Sequence, residues 1–255
     1  MAGYSMDEAA AKLDKSRTAL FRIESGETKV DVHLARSMMD LYDIYDDGLL
    51  DAVRLAAKPS WFAKFRLTDM GYVDVETEAC RVCEFSGLTL PGLLQIETYA
   101  RAVIGGNRRQ RTAEQIDNQV AARLIRQQRL TDNSLDLVVI IDEAALHREV
   151  GGSEVMGAQL RHLVEMARLT TTTLQVLPLN AGSHSALEGA FILLEFPDSD
   201  EPMLYHAYVT GALHIEDEGE VHEAKLVFEA LRSEALSPAD SMTLIERLLQ
   251  ERLAT

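Results

Sequence analysis

Apolar residues in the first 55 positions recur every three to four residues, the spacing that places side chains along one face of an α-helix. The pattern breaks at Asp46-Asp47-Gly48, and the segment 56–61, which contains Pro59, predicts a linker. Several short helices are therefore predicted over residues 5–55, with one domain over 1–56 and a second over 60–255. The residues that follow the helical pattern are Ala9, Ala10, Leu13, Leu20, Ile23, Leu34, Met38, Leu41 and Ile44.

From about residue 72, helical and strand-like patterns alternate. Residues 73–86 have a helical pattern, and further helices are predicted over 94–104, 112–130, 153–168, 219–233 and 238–253. Four apolar runs predict strands: LDLVVIIDE, TTTLQVLPL, GAFILLEF and MLYHAYV. The turn-rich PDSDEP predicts a hairpin between the last two. The expected fold class is α+β or α/β: a small all-α domain, then a larger mixed domain with about four strands flanked by helices.

Local signals near the N-terminus predict two helices around a tight turn. Ser5 and Glu8 have the spacing of a capping box, which opens the first helix. Asp14 falls where the turn needs a left-handed residue, and Asp is among the residues that tolerate this conformation. Ser16 is placed to cap the second helix, and Ala10 is small where the two helices would cross closely.

The second helix has two different faces. Leu20 and Ile23 lie three residues apart, so they point inward together. The opposite, exposed face carries Arg17, Thr18, Phe21 and Arg22. Two short helices around a turn of about four residues, the second with an exposed polar face, meet the requirement for docking in the major groove of DNA.

The segment GYSMDEAAAKLDKSRTALFRIESGETKVDVHLARSMMDLY resembles the lambda-repressor-like (XRE) helix-turn-helix family. The resemblance rests chiefly on Ala10, Leu13, Ser16, Leu20 and the ending Ile23-Glu24-Ser25-Gly26. It implies double-stranded DNA as a partner. The implied DNA-binding residues are Ser16, Arg17, Thr18, Phe21, Arg22 and Lys29, with Lys29 reaching the DNA backbone.

Three features depart from the family pattern. The family has a helix before the position of Gly3, so the domain is expected to lack its first helix. Met6 stands where Gln is frequent, and Phe21 where a small polar residue is common. An alternative therefore stays open: a helical hairpin used only for packing or dimerisation, in an antitoxin-like protein that sequesters a partner through protein–protein contacts.

The remainder, from about 60 to 250, resembles the domain of uncharacterised function that follows such a helix-turn-helix in many actinobacterial regulators. Matching segments include Leu90-Pro91-Gly92-Leu93-Leu94-Gln95, Tyr99-Ala100-Arg101-Ala102 and Ile141-Asp142-Glu143-Ala144-Ala145-Leu146. The resemblance implies a transcriptional regulator, often encoded beside a small partner protein. Because operators are commonly two-fold symmetric, we expect a homodimer, modulated through this domain by a small ligand or a partner protein.

Two features of this region are candidate ligand or partner surfaces. The loops 90–94 and 178–185 contain Gly and Pro next to strand ends, where pockets are often found. Arg123, Arg126 and Arg129 form a helical stripe that would pair with acids of the same domain or meet an anionic partner. The candidate residues are Pro91, Gly92, Gln95, Tyr99, Arg123, Arg126 and His184.

Other residue groups have ordinary interpretations. Asp142 is placed to cap the helix that follows its strand, although carboxylates at strand ends are also catalytic in some folds. Cys80 and Cys83 form a lone C-x-x-C pair, a weak zinc signal. His206, His214 and His222 lie in an acidic stretch that is typical of a solvated surface. Leu244, Ile245, Leu248 and Leu249 share one side of the last helix, as a dimer contact or as core.

Composition narrows the function classes. The chain has 255 residues, 41 acidic and 25 basic, and a net charge of −16, which argues against non-specific coating of nucleic acid. Its 47% hydrophobic content is that of a globular protein, and no apolar run or leader suggests a membrane or secretion. Two cysteines fit a reducing cytoplasm. We expect a cytoplasmic regulator without enzymatic activity, metal or cofactor.

Overall fold

The structure, a computed structural model, describes residues 3–26, 28–57, 61–65, 71–106, 111–197 and 201–253. The chain folds as two compact units, Met1–Ala63 and Lys64–Thr255. Within the described ranges, no helix is both long and apolar enough to cross a membrane.

The N-terminal unit consists of helices, as the periodicity predicts. They are α1 (Met6–Lys12), α2 (Arg17–Glu24), α3 (Val32–Tyr42) and α4 (Asp47–Ala56). One small core joins α1, α2 and α3 around Leu13 and Leu20. A second joins α3 and α4 around Ala35, Met39 and Leu50. The helix α3 contributes to both cores, so it connects the first two helices to α4.

The larger unit is built on one six-stranded sheet. Its strands are β1 (Arg81–Ser86), β2 (Asp136–Asp142), β3 (Thr172–Leu177), β4 (Phe191–Glu195), β5 (Met203–Tyr208) and β6 (Gly211–Ile215). Its helices are α5 (Gly71–Glu78), α6 (Glu97–Gly105), α7 (Ala113–Thr131), α8 (Glu143–His147), α9 (Ser153–Met166), α10 (Glu218–Glu234) and α11 (Pro238–Leu253). The spatial order is β3-β2-β1-β4-β5-β6. The strands β1, β2 and β3 are parallel, whereas β4, β5 and β6 pair antiparallel.

Helices cover both faces of the sheet. Side chains alternate along each strand, so Val82 faces one core while Cys83 and Phe85 face the other. The larger core includes residues of α6, α7, α9 and α11, and the smaller core includes residues of α10. The unit is therefore a three-layer α/β/α arrangement, consistent with the expected mixed fold class.

The sequence interpretation of residues 73–86 as one helix is wrong. The helix α5 ends at Glu78, and β1 begins at Arg81. This strand pairs with β2 on one side and β4 on the other, so contacts far along the chain decide its conformation. The C-x-x-C pair consequently lies at the start of a strand and not on a helix, with Cys80 exposed and Cys83 buried.

The described residues form six strands where about four were expected, and β6 is the second strand that the pattern did not reveal. It is five residues long and follows the two-residue turn Val209-Thr210, which lacks the Gly, Asn or Asp typical of such hairpins. The predicted hairpin of β4 and β5 does form. Part of its PDSDEP turn, residues 198–200, lies outside the described residues.

The last helix packs into the core of its own unit. Leu244, Ile245, Leu248 and Leu249 are all buried there. The core interpretation is therefore confirmed, and a dimer contact through these leucines is wrong. The first turn of α11 and the residues before it also cover the edge of the sheet at β3. Val176 N donates to Ser241 Oγ of α11 at 2.9 Å, and Leu236 N donates to the carbonyl of Val176 at 2.9 Å.

A buried ion pair joins α5 to α7. The Arg126 guanidinium makes a two-point contact with the Glu76 carboxylate, with Nε to Oε1 at 2.7 Å. Arg129 reinforces it by donating to the carbonyls of Glu76 and Ala79 at 2.5 and 2.6 Å. Burial alone lowers the pKa of Arg126, but the adjacent Glu76 charge outweighs it and raises that pKa.

Removing one partner of this pair is expected to destabilise the larger unit strongly. Arg126→Met leaves the Glu76 carboxylate buried without its partner, which costs about 3–5 kcal/mol of unfolding free energy. Urea unfolding followed by circular dichroism measures the loss.

The matched control is Arg101→Met, because Arg101 pairs with Glu97 and Asp117 at the surface and should cost about 1 kcal/mol or less. The double variant Glu76→Leu with Arg126→Met should recover much of the lost stability. Equal effects of the two single arginine substitutions would contradict the buried-pair account.

Candidate nucleic-acid interface

The first helix of the motif is closed at its start as the sequence predicts. Glu8 N donates to Ser5 Oγ at 3.4 Å, and Ser5 N donates to Glu8 Oε2 at 2.9 Å, which completes the capping box. At the other end, Asp14 has a φ of +52°, the predicted left-handed conformation. The chain thereby reverses direction between α1 and α2 within four residues.

The second helix presents the predicted exposed face. Ser16 Oγ caps the helix by accepting from Ala19 N at 3.1 Å, and Leu20 is fully buried beneath it. On the outer side, the Phe21 side chain is 57% exposed. Ser16, Arg17, Thr18 and Arg22 are exposed as well. The four exposed residues within α2 are called its reading face below: Arg17, Thr18, Phe21 and Arg22.

The ion pair on the reading face is easily broken. Arg17 Nη1 lies 3.4 Å from Asp7 Oδ2, and both side chains are 69% exposed. Such surface pairs contribute about 1 kcal/mol or less, so a phosphate or base can replace Asp7 as the partner of Arg17. Asp7 thus keeps the Arg17 side chain near α1, but the contact is weak enough for Arg17 to exchange it for a contact with DNA.

Lys29 lies at a different place in the unit. Its Nζ donates to the carbonyl of Ala56 at 3.1 Å, at the C-terminal end of α4, where the helix dipole favours a cation. It therefore has a structural contact besides the DNA-backbone role that the resemblance implies.

Charge is unevenly distributed along the N-terminal unit. Residues 12–29 contain five basic and three acidic side chains, a net charge of +2. Residues 40–51 contain five aspartates and no Lys or Arg. A polyanion is therefore attracted to the part of the unit that holds α2.

An apolar cleft of about 460 Å³ lies beside the motif, between the start of α1 and the end of α3. Tyr42 borders it and donates to Glu24 Oε1 at 2.7 Å, which ties α3 to the last residue of α2. Burial, together with this carboxylate, raises the pKa of Tyr42 to about 12. The phenol therefore keeps its proton, and with it the hydrogen bond to Glu24, into the alkaline range.

In the larger unit, most candidate ligand residues form an internal polar network. Gln95 Nε2 donates to the carbonyl of Leu90 at 2.6 Å, and Arg123 Nη1 donates to Gln95 Oε1 at 2.5 Å. Tyr99 Oη accepts from Leu90 N at 3.2 Å. Gln127 Nε2 reaches the carbonyls of Gly92 and Gln95 at 3.1 and 2.6 Å.

This network shapes the loop 90–95 from within. Pro91 precedes a short 3-10 helix, Gly92–Leu94, whose leucines are buried. Gly92 lies against α7, since a Cβ there would be in ordinary van der Waals contact with Arg123 Nε at 3.6 Å. Burial, with the neighbouring charge of Arg126, lowers the pKa of Arg123 to about 10. The structure thus gives these residues a role in holding the loop.

His184 makes its contacts at the end of β2. Its Nε2 lies 3.8 Å from Asp142 Oδ2, its Nδ1 accepts from Ala186 N at 3.3 Å, and its ring meets the edge of Phe85. Asp142 also caps α8 by accepting from Ala144 N at 2.8 Å. These contacts place His184 at a different site from the network of Gln95 and Arg123.

Glu143 and the C-x-x-C cysteines lie in structural surroundings. Glu143 Oε2 accepts from Leu179 N at 2.9 Å, and Cys80 Sγ lies 3.4 Å from the carbonyl of Glu195. Burial raises the pKa of the Cys83 thiol to about 11. Over the described ranges, no group of three or more His, Cys, Asp and Glu side chains is arranged to hold a metal ion.

In the larger unit, the sequence analysis missed two buried acids, Glu76 and Glu84. Glu84 lies in the middle of β1 on the face of the larger core, where it accepts from Ser86 Oγ at 2.7 Å. Burial raises the pKa of Glu84 from 4.5 to about 7, although the Ser86 contact lowers it. An acid between Cys83 and Phe85 was the available signal, because charged residues are rarely buried in a central strand without a reason.

The geometry of the N-terminal unit defines a helix-turn-helix domain of the XRE type, and residues 1–49 match the family model described as "Helix-turn-helix". Residues 70–247 match the model described as "Domain of unknown function (DUF5753)". Because that match spans more than half of the chain, the chain belongs to this family. Both resemblances drawn from the sequence are confirmed. No curated protein and no solved structure matches the chain.

Glu84→Gln is expected to stabilise the larger unit in a pH-dependent way. Between pH 4.5 and about 7 the folded state keeps the Glu84 proton that the unfolded chain has lost, so wild-type stability falls as the pH rises through this window. The neutral amide avoids that loss. We expect the variant to exceed wild type by up to about 3 kcal/mol at pH 8.5 and by much less at pH 5.5.

Urea unfolding at both pH values tests this, with the exposed Glu188→Gln as the matched control. An advantage of Glu84→Gln that does not change with pH would contradict a raised pKa at this position.

Proposed function

We propose that this chain is a transcriptional regulator that binds a two-fold symmetric operator as a dimer, and that its larger unit adjusts binding in response to a small ligand or a small partner protein. The observation that carries the DNA-binding part is the reading face of α2. It places two arginines, a threonine and an exposed phenylalanine over a buried Leu20, on the second helix of the motif.

The reading face suits the major groove. An Arg side chain recognises guanine through two hydrogen bonds, Thr contacts either base edges or phosphates, and an exposed aromatic ring contacts thymine methyl groups. The Ser16 cap leaves the first amides of α2 at the end of the helix, where they favour a phosphate. Phosphate contacts would set the orientation, and the base contacts would supply the specificity.

Charge restricts how the rest of the chain meets DNA. Residues 64–255 contain 17 basic and 30 acidic side chains, a net charge of −13. This larger unit is repelled by DNA, so attraction is confined to the basic part of the N-terminal unit. Such a protein depends on specific contacts and binds non-specific DNA poorly at physiological salt.

A dimer and an effector complete the proposal. Two copies would place their α2 helices in successive major grooves about 34 Å apart, which matches a symmetric operator. An effector that binds one dimer geometry better shifts the population towards it. Binding is favoured over catalysis for the larger unit, because the carboxylates at the end of β2 are engaged in a helix cap and a loop contact.

Selection from a random pool of duplex DNA tests the function, followed by affinity measurements against salt concentration. We expect a recurrent symmetric site and a steep salt dependence. Arg17→Ala and Arg22→Ala should each weaken binding to that site by about tenfold or more if they contact bases, or lower the salt slope by about 1 if they contact phosphate.

Arg54→Ala is the matched control, because Arg54 belongs to the same unit but pairs with Asp51 on α4. Its affinity should stay within about twofold of wild type. Failure to enrich any sequence would reject DNA recognition and favour the sequestration of a partner protein.

A further inference from the structure

The strand β6 forms one edge of the sheet, and its outer side carries unpaired backbone groups. It pairs with β5 through a two-residue turn, with Tyr208 opposite Gly211. In such a hairpin the pair next to the turn is hydrogen-bonded, and alternate pairs follow the same rule. The amides and carbonyls of Ala212 and His214 therefore point away from β5. Among the described residues, none forms a hydrogen bond with them.

The opposite edge of the same sheet is treated differently. There, Ser241 and Leu236 bond to both backbone groups of Val176, so the outer side of β3 is closed by the protein's own chain. Proteins usually cover or charge their sheet edges because an open edge pairs with other strands. A sheet with an open edge at β6 and a closed edge at β3 is the pattern expected when one edge serves as an interface.

The hairpin of β5 and β6 is also rich in apolar residues and contains no Asp, Glu, Lys or Arg. Val209 is 95% exposed in the turn, and Leu213 is 49% exposed at the centre of β6. The stretch 202–215 contains no Asp, Glu, Lys or Arg, in a chain with a net charge of −16. Two copies of so acidic a protein repel each other over most surfaces, and this hairpin is a place where that repulsion is weak.

We propose that β6 pairs antiparallel with β6 of a second copy of this chain, around a two-fold axis at Leu213, so that two six-stranded sheets become one. The inference deepens the proposed function, since it assigns the dimer that a symmetric operator requires. It replaces the contact through α11, whose leucines are buried in the core.

The hydrogen-bond geometry of β6 fits this axis. An antiparallel pairing centred on Leu213 sets Ala212 opposite His214 of the other copy, and these are the residues with outward amides and carbonyls. Leu213 then meets its own copy in a non-hydrogen-bonded pair, where side chains approach most closely. A pairing centred on Ala212 or His214 also joins outward-facing residues but loses the leucine pair.

The antiparallel direction also separates the acidic ends of the hairpin. Glu216, Asp217 and Glu218 follow β6 directly. Around an axis at Leu213, Glu216 lies opposite Thr210 and Asp217 opposite Val209, so the two acidic segments are at opposite ends of the strand pair. A parallel pairing would set them side by side. Charge therefore selects the antiparallel arrangement, and the short strand predicts a reversible dimer.

A charge swap at position 213 tests the interface by sedimentation equilibrium. The 28.3 kDa wild-type chain should approach twice that mass at high micromolar concentration. Leu213→Lys and Leu213→Glu should each remain monomeric, because like charges meet on the axis, and an equimolar mixture of the two should dimerise again. A monomeric wild type, dimers of either single variant, or a mixture that stays monomeric would overturn the proposal.

A disulfide variant tests the same contact without added charge. In a Cys80→Ser background, Leu213→Cys should form a covalent dimer on mild oxidation, since facing residues in a non-hydrogen-bonded pair lie within disulfide range. The control is Leu226→Cys, which is 53% exposed on α10. Equal cross-linking of both variants, or none at position 213, would count against the proposed axis.

DNA binding separates this inference from the proposed function. If the wild type selects a symmetric site and Leu213→Lys binds it at least tenfold more weakly while keeping its affinity for one half-site, both stand. If Leu213→Lys binds the full site as wild type does, the proposed β6 interface is wrong and the proposed DNA-binding function is retained. If the charge swap controls dimerisation but no sequence is selected, the interface stands and the regulator is wrong.

Discussion

The larger unit depends on the ion pair between Glu76 and Arg126, which folding buries away from water. Glu76 and Arg126 come from the helices that precede β1 and β2, so their contact aligns the two elements that lead into neighbouring parallel strands. Burying these charges is costly, and the cost is offset only if both partners are in place with good geometry. The pair therefore penalises arrangements of α5 and α7 that separate the two buried charges. A hydrophobic contact would hold the helices together with less directional selectivity.

Near this pair, glutamine side chains supply the hydrogen bonds for backbone groups of the loop 90–96, which lie outside regular helices and strands. The carbonyl of Leu94 accepts from Gln159 Nε2 at 2.7 Å, and Ile96 N donates to Gln159 Oε1 at 2.8 Å. With Gln95 and Gln127, this glutamine satisfies an irregular loop that is largely buried. Buried backbone groups need such partners because desolvation without a hydrogen bond is expensive. The loop that looked like the rim of a ligand pocket is thus part of the scaffold, and an effector would have to bind elsewhere or open this network.

The sequence predicted what is decided locally. The caps at Ser5 and Ser16, the left-handed Asp14 and the exposed side of α2 all depend on residues within one or two turns, and the structure has each of them. Of the two missed strands, β1 depends on partners far along the chain, β2 and β4. The strand β6 pairs with its neighbour β5, but the turn between them lacks the residues typical of a two-residue hairpin. Long-range contacts also decided what the sequence could show about the candidate ligand residues. An arginine stripe was visible in the sequence, but its partner Glu76 lies 50 residues away, and no local pattern shows which acid an arginine will meet.

The closed edge at β3 also limits how far the protein can assemble. Strand-by-strand addition makes a fibre when each molecule offers two complementary edges, because every new copy regenerates a free end. Here the Leu236–Ser241 segment occupies one of them. Pairing through β6 would use the same edge on both molecules. The dimer would then have no open edge for a third copy, so assembly stops at two chains. The two hydrogen bonds at Val176 thus close this edge to strand addition and also anchor the start of α11.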